Sequence, residues 1–310
     1  MEKLNFESVR AKALARLSTS GPIAAWKECI PDLLRSQIPF SSQQALHQLL
    51  FEDWDASSGP APVWIPDAED IENANVTRSA REWGLSDYSS FYIKSIAEPS
   101  AYWAHAAEKC GIRFRKKSSS TLDTSNGIEI PHWFPGAAIN IAESCFQADE
   151  HKTAIVSQKE NGEIRRVSYK ELKNLAFRVA ASLRDQGLKT GDGVGLCLPM
   201  TVEALAAYLG IVLSGLTGIS IADSFSPEEI AVRLRIGKAK LCITQDVIRR
   251  DAKSILLYER FVQADAVRTV VLAEDRKTLA ASLRGSDLAW DSFLSEREIS
   301  EAEACDPEAT

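Results

Sequence analysis

Three short stretches of this chain combine residue types suited to phosphate chemistry. Arg249-Arg250-Asp251-Ala252-Lys253 places three cations within five residues. Arginine can hold phosphate oxygens in a two-pronged grip, and lysine adds a compact charge. Such a run serves equally well as a solvated helix face. Ile221-Ala222-Asp223-Ser224-Phe225-Ser226-Pro227 follows a predicted strand, and its small residues let backbone approach a ligand closely. The helix opened by Ser226-Pro227-Glu228-Glu229 would turn its first N–H groups toward an anion. An ordinary capped strand-to-helix loop is the alternative. The third stretch, Gly191-Asp192-Gly193-Val194-Gly195, has glycines but the wrong context. A dinucleotide fingerprint follows a strand and opens a helix; here the glycines follow a helix and precede a strand. They read as a tight turn, which counts against a Rossmann-type cofactor protein.

Acid–base and metal chemistry find less support. The six cysteines are scattered without a CxxC pair, and the four histidines complete no metal-ligand spacing. His132 beside Trp133 reads as a loop histidine. Ser144-Cys145 lacks a partnered histidine, and Glu228 with Glu229 fits helix capping better than proton transfer. No residue is therefore assigned as catalytic or as a metal ligand. A net charge of −7 disfavours nucleic acid and anionic membranes as partners. The first residues carry no secretory apolar core, and the longest apolar run, Ala204 to Leu216, is too short to span a bilayer. An intracellular protein with reduced cysteines is expected.

The elements that must position these stretches follow from periodicity. Residues 1–85 read as short helices separated by Gly21-Pro22, Pro31, Pro39 and a Ser/Gly/Pro-rich stretch at 57–62. Ser41 with Gln44 gives a capping-box pattern there. Residues 86–148 are aromatic-rich, with Pro99 at a first helical position and a polar loop over Lys116–Asn126. From 149 to 310 the chain alternates regularly. Two β-type runs, 153–158 and 164–168, flank the turn pair Asn161-Gly162. Ser168 and Glu171 form a capping box for a helix with its stripe at Leu172, Leu175, Ala176, Val179, Ala180 and Leu183. Strands at 194–198, 217–221, 240–244 and 269–273 alternate with helices. This order predicts a parallel sheet covered by helices, joined by right-handed crossovers.

Several stretches, taken in order, resemble a known family. Phe91-Tyr92-Ile93-Lys94-Ser95-Ile96-Ala97-Glu98-Pro99-Ser100-Ala101-Tyr102-Trp103 and Trp133-Phe134-Pro135-Gly136-Ala137-Ala138-Ile139-Asn140-Ile141-Ala142-Glu143 resemble the N-terminal region of acetyl-CoA synthetases. Leu198-Pro199-Met200-Thr201-Val202-Glu203-Ala204 and Ile221–Glu229 resemble the opening of their AMP-binding domain. Ser220–Phe225, with Lys238-Ala239-Lys240 and Thr244-Gln245-Asp246, is most similar to plant peroxisomal acyl-activating enzymes of the type 17 and 18 group.

The resemblance implies an α/β fold: a helical N-terminal region followed by a parallel-sheet subdomain of the adenylate-forming ligase fold, incomplete at its C-terminus. It implies an acid–CoA ligase, which couples a carboxylic acid to ATP with Mg²⁺, releases pyrophosphate and passes the acyl group to CoA. A peroxisomal or cytoplasmic location goes with it. Such enzymes use a Ser/Thr/Gly-rich phosphate loop ending in lysine, and none occurs in the 310 residues. The chain alone is therefore expected not to catalyse adenylation. By position, Arg250 and Lys253 fall on the cationic ends of a stretch that binds the CoA nucleotide's phosphates in acetyl-CoA synthetases. Asp251 and Ala252 replace its two glycines. Ala222, Asp223 and Ser224 correspond to a loop near CoA, with an acid where the family has glycine. A non-catalytic interaction or nucleotide-binding protein, associating with a full-length ligase, is the rival reading.

Overall fold

The computed structural model describes residues 5–35, 38–159, 162–250, 253–274, 278–297, 299 and 301–309. Asn161, Asp251 and Ala252, singled out above, lie outside the described residues. The chain divides into two compact units, Met1–Ile96 and Ala97–Thr310.

The first unit is helical. A helical run over Phe6–Arg35 bends at Gly21, whose φ of 79° suits a residue without Cβ, so the Gly21-Pro22 breaker acts as a kink between two helices. Val9, Ala13, Ala25, Trp26, Cys29 and Leu33 bury its inner face against Leu46, Leu50 and Phe51. The second helix, Phe40–Leu50, begins one residue before Ser41 and has no side-chain cap. The expected Ser41/Gln44 capping box therefore does not form: Pro39 occupies the cap position, and Ser41 is already helical.

The second unit carries the sheet. Its five strands are β1 (Gly193–Cys197), β2 (Thr217–Ser220), β3 (Ala239–Gln245), β4 (Thr269–Leu272) and β5 (Leu288–Ala289), in spatial order β5–β4–β3–β1–β2. All four pairings are parallel. The strands alternate with helices α1 (Tyr169–Asp185), α2 (Val202–Leu213), α3 (Pro227–Ile236) and α4 (Leu257–Gln263), with α1 preceding the sheet. The anticipated capping boxes, Ser168/Glu171 on α1 and Ser226/Glu229 on α3, are both present. Asn140 caps the short helix Ile141–Ser144 by accepting from the Ala142 N–H, while Glu143 accepts from Arg115. The run expected as a loop over 116–126 contains a short strand at Leu122–Asp123, and its first residue ends the strand Phe114–Lys116.

Helix α2 is buried on two sides. Ala207 and Ile211 join Val194, Leu241, Ile243 and Val270 of the sheet, whereas Val202, Ala206, Leu209 and Leu213 join Leu172, Ala176 and Ala180 of α1. This accounts for its scarcity of polar residues. The Gly191–Gly195 run has an equally physical explanation. Gly191 turns with φ +84°. A Cβ on Gly193 would come within 2.4 Å of the Gly237 carbonyl oxygen, and one on Gly195 within 2.7 Å of Leu234. The glycines admit α3 onto the sheet. Among the described residues, no helix is long and apolar enough to cross a membrane.

Candidate functional site

Strand order reverses at β1 and β3: the chain runs from β1 out to β2, then returns to β3 on the other side of β1. In open α/β sheets, ligands bind beyond the carboxyl ends of the strands at such a switch. Two of the three candidate segments lie at that end. The 222–224 loop leaves β2, and a β-hairpin leaves β3.

The hairpin pairs Val247–Arg250 with Lys253–Leu256, with Arg250 directly opposite Lys253. The described cations of the basic run, Arg249, Arg250 and Lys253, thus lie on paired strands rather than on a helix face, and alternation along the strand separates the two arginines. Arg249 reaches Glu274 at 3.3 Å. Arg250 reaches the other way, donating from Nη2 to Asp223 Oδ2 at 2.8 Å. The two segments predicted from sequence to share one ligand are therefore in direct contact. Ala222, Ser224 and Lys253 are exposed, and Asp223 is half-buried.

The loop is held firmly from below. Arg260 of α4 donates from Nη1 to the carbonyl oxygens of Asp223 and Phe225, at 2.8 and 3.1 Å. The Arg233 guanidinium lies 3.7 Å from the centre of the Phe225 ring, a cation–π contact. The helix N-terminus expected to face an anion is already occupied. Glu229 N–H donates to Ser226 Oγ, Ser226 N–H donates to Glu229, and Pro227 has no N–H. Beneath the loop and hairpin lies one apolar cluster containing Ile221, Ile230, Leu234, Ile248, Leu257 and Phe261. Cys197 and Cys242 belong to it, and burial pushes both thiols up to about 12, which rules out thiolate chemistry near neutral pH.

Two features escaped the sequence reading. Asp246, 2% exposed, directly follows β3 and accepts from the backbone N–H groups of Val247, Glu274 and Ala280. It ties the hairpin's root to the segment after β4. Before β5, the buried Asp287 accepts from Tyr258 Oη at 2.6 Å, Arg284 Nε at 2.7 Å and Thr269 N at 2.9 Å. Burial alone would raise the Asp287 carboxyl; hydrogen bonds from Arg284, Tyr258 and the Thr269 N–H outweigh it and hold the group below the usual carboxylate range. Most of these partners, Glu274 and Ala280 for Asp246 and Tyr258 and Thr269 for Asp287, are distant in sequence, so no local pattern signals the networks. Elsewhere, His132 Nδ1 lies 3.1 Å from Glu308, and Ser144 Oγ accepts from the Arg113 N–H. Neither arrangement resembles a nucleophile with its base.

Two cavities complete the description of this unit. One, of about 510 Å³, opens at the switch between Pro199–Thr201, Gln245 and Arg249. Its cations are already matched by acids: Lys159 with Glu163, Arg165 with Glu203 and Arg249 with Glu274. The other, about 620 Å³, lies toward the opposite ends of β1 and β2 and is lined by Trp103, Phe114, Trp133 and Phe134. No cation lines it among the described residues, so it does not suit a phosphate.

Comparison with known proteins agrees with this architecture. The AMP-binding enzyme profile matches residues 142–308, more than half of the chain, and the acetyl-coenzyme A synthetase N-terminus profile matches residues 88–145. Hexanoyl-CoA synthase of Cannabis sativa is 33% identical over 291 residues, covering 87% of this chain and 40% of that protein. Probable acyl-activating enzyme 17, peroxisomal, of Arabidopsis thaliana is 32% identical over 297 residues, covering 89% of this chain and 41% of that protein. The chain thus spans about two fifths of the length of these curated relatives. The solved acetoacetyl-CoA synthetase from Streptomyces lividans shares the fold, with a TM-score of 0.70 and 24% identity over 81% of this chain and 40% of that one. With its profile matched over more than half of its length, this chain belongs to the AMP-binding enzyme family.

Proposed function

We propose that this chain supplies the contact for the nucleotide end of CoA in an acid–CoA ligase. The observation that carries the reading is the meeting of Arg250, Lys253 and the 222–224 loop at the carboxyl end of the sheet. Arg250 offers planar paired donors to phosphate oxygens, and Lys253 opposite it adds a second positive charge. Ala222 and Ser224 are small enough to let a ligand approach the backbone. In a ligase of this class, ATP activates the carboxylic acid as an acyl-adenylate and CoA receives the acyl group. The residues described here bind and orient the thiol substrate far from its sulfur. The 310 residues contain no Ser/Thr/Gly-rich phosphate loop ending in lysine, so the fixed donors that would stabilise charge on a transferring phosphate are not supplied by them. The peroxisomal designation of the Arabidopsis relative favours a peroxisomal setting.

One experiment on the purified chain tests both halves of this reading. Adding CoA is expected to slow backbone hydrogen exchange over 221–226 and 247–256 while leaving the aromatic cavity around Trp103 and Trp133 unchanged. The same preparation, given ATP and hexanoate or acetate, is expected to show no acid-dependent ATP–pyrophosphate exchange. Protection confined to other segments, or measurable exchange, would overturn the corresponding half.

A further inference from the structure

The inference rests on the reading of the Arg250 hairpin as a nucleotide contact, and it concerns what sets the strength of that contact. We propose that Asp223 is the affinity-determining residue of this site: its carboxylate occupies the guanidinium of Arg250, so a nucleotide phosphate is held weakly unless that ion pair opens.

The geometry makes Asp223 the fixed partner and Arg250 the movable one. The Asp223 side chain is 17% exposed and that of Arg250 58%. Two hydrogen bonds from Arg260 pin the loop backbone on either side of Ser224. The Phe225 ring is held against Arg233. The carboxylate is thereby presented to the hairpin, and Arg250 folds onto it. The neighbouring cations do not compensate. Arg249 points to the other face and is paired with Glu274, and Arg260 is spent on two carbonyls. Among the described residues, Lys253, across the hairpin from Arg250, adds positive charge on this side.

The charge balance follows. Arg250 and Lys253 bring two positive charges to this face and Asp223 removes one. A phosphate monoester carrying between one and two negative charges near neutral pH therefore meets less positive charge than the two cations alone would give. It also meets a carboxylate directly beside its preferred donor. Like charges brought together this way suppress binding of the wrong partner more than they alter the protein's own stability. Arg250, more than half exposed, can swing into water when the pair opens, so the site is weakened rather than closed.

The test uses the chain itself and 3′-phosphoadenosine 5′-phosphate, the nucleotide end of CoA, titrated calorimetrically at low ionic strength. Asp223→Ala and Asp223→Asn are each expected to bind roughly tenfold more tightly than the parent chain. The asparagine variant keeps the shape of the loop and guards against a folding effect of the alanine. In Asp223→Ala/Arg250→Ala the gain should vanish, because the freed guanidinium is its source. A gain that survives in the double variant would overturn the proposal. So would an Asp223→Ala affinity no higher than the parent's while Arg250→Ala weakens binding; that result leaves the nucleotide reading standing. Binding by none of the variants would overturn the proposal and that reading together.

Discussion

Replacing Phe261 with alanine is expected to cost the sheet-bearing unit about 3–5 kcal/mol, the usual range for deleting a large aromatic side chain from a core. Phe261 is fully buried and is surrounded by Ile221, Ile230, Leu234, Ile248 and Leu257. Removing the ring leaves a cavity bounded by β3, α3 and α4, and rigid neighbours cannot collapse fully into it. The consequences reach the site. Ile221 precedes the 222–224 loop, Ile248 roots the hairpin, and the adjacent Arg260 pins the loop's carbonyls. Urea unfolding should show the midpoint falling with little change in slope. Phe261→Leu, which refills most of the space, should recover much of the loss. An unchanged midpoint in Phe261→Ala would show that this cluster does not support the fold as described.

The second large effect concerns Asp287. Its side chain is fully buried, and it accepts hydrogen bonds from Tyr258, Arg284 and the Thr269 N–H. Asp287→Ala leaves these donors without their acceptor, and breaking a buried pair by removing one partner costs about 3–5 kcal/mol. Arg284 remains 27% exposed, so water can solvate part of its charge and the effect should fall near the lower end. The carboxyl titrates below its unfolded value. Its contribution is therefore complete above the unfolded carboxylate pKa of about 3.9 and is lost as pH falls through the lower folded value. The stability gap between parent and Asp287→Asn should thus be wide at neutral pH and narrow in acid. A gap that stays constant down to the acid limit would contradict the assigned ionisation.

Local sequence rules were sufficient for much of the architecture because they depend on near neighbours. Ser168/Glu171 and Ser226/Glu229 mark helix starts that the structure places at Tyr169 and Pro227. The strand at 193–197 lies within a residue of its expected bounds. The failure at Ser41 is instructive: the motif is present, but Pro39 already provides the extended backbone that starts the helix. The basic run at 249–253 misled in a different way. Charge spacing cannot distinguish a helix face from a hairpin, and only the hairpin sends Arg249 and Arg250 to opposite sides. The Asp223–Arg250 pair joins residues 27 apart along the chain, and the Asp246 and Asp287 networks likewise depend on contacts made after folding. The sequence could nominate Asp223 and Arg250 for the same ligand, through family resemblance, but not show that they neutralise each other.

The most direct measurement is a CoA titration of the parent chain against the Arg250→Ala/Lys253→Ala variant under identical low-salt conditions. Both positions are exposed, so the variant should unfold at the same urea concentration as the parent. The account predicts CoA binding at least about tenfold weaker in the variant, as loss of two phosphate-facing cations requires. Equal affinities in two equally stable proteins would contradict it and move the CoA contact away from the hairpin.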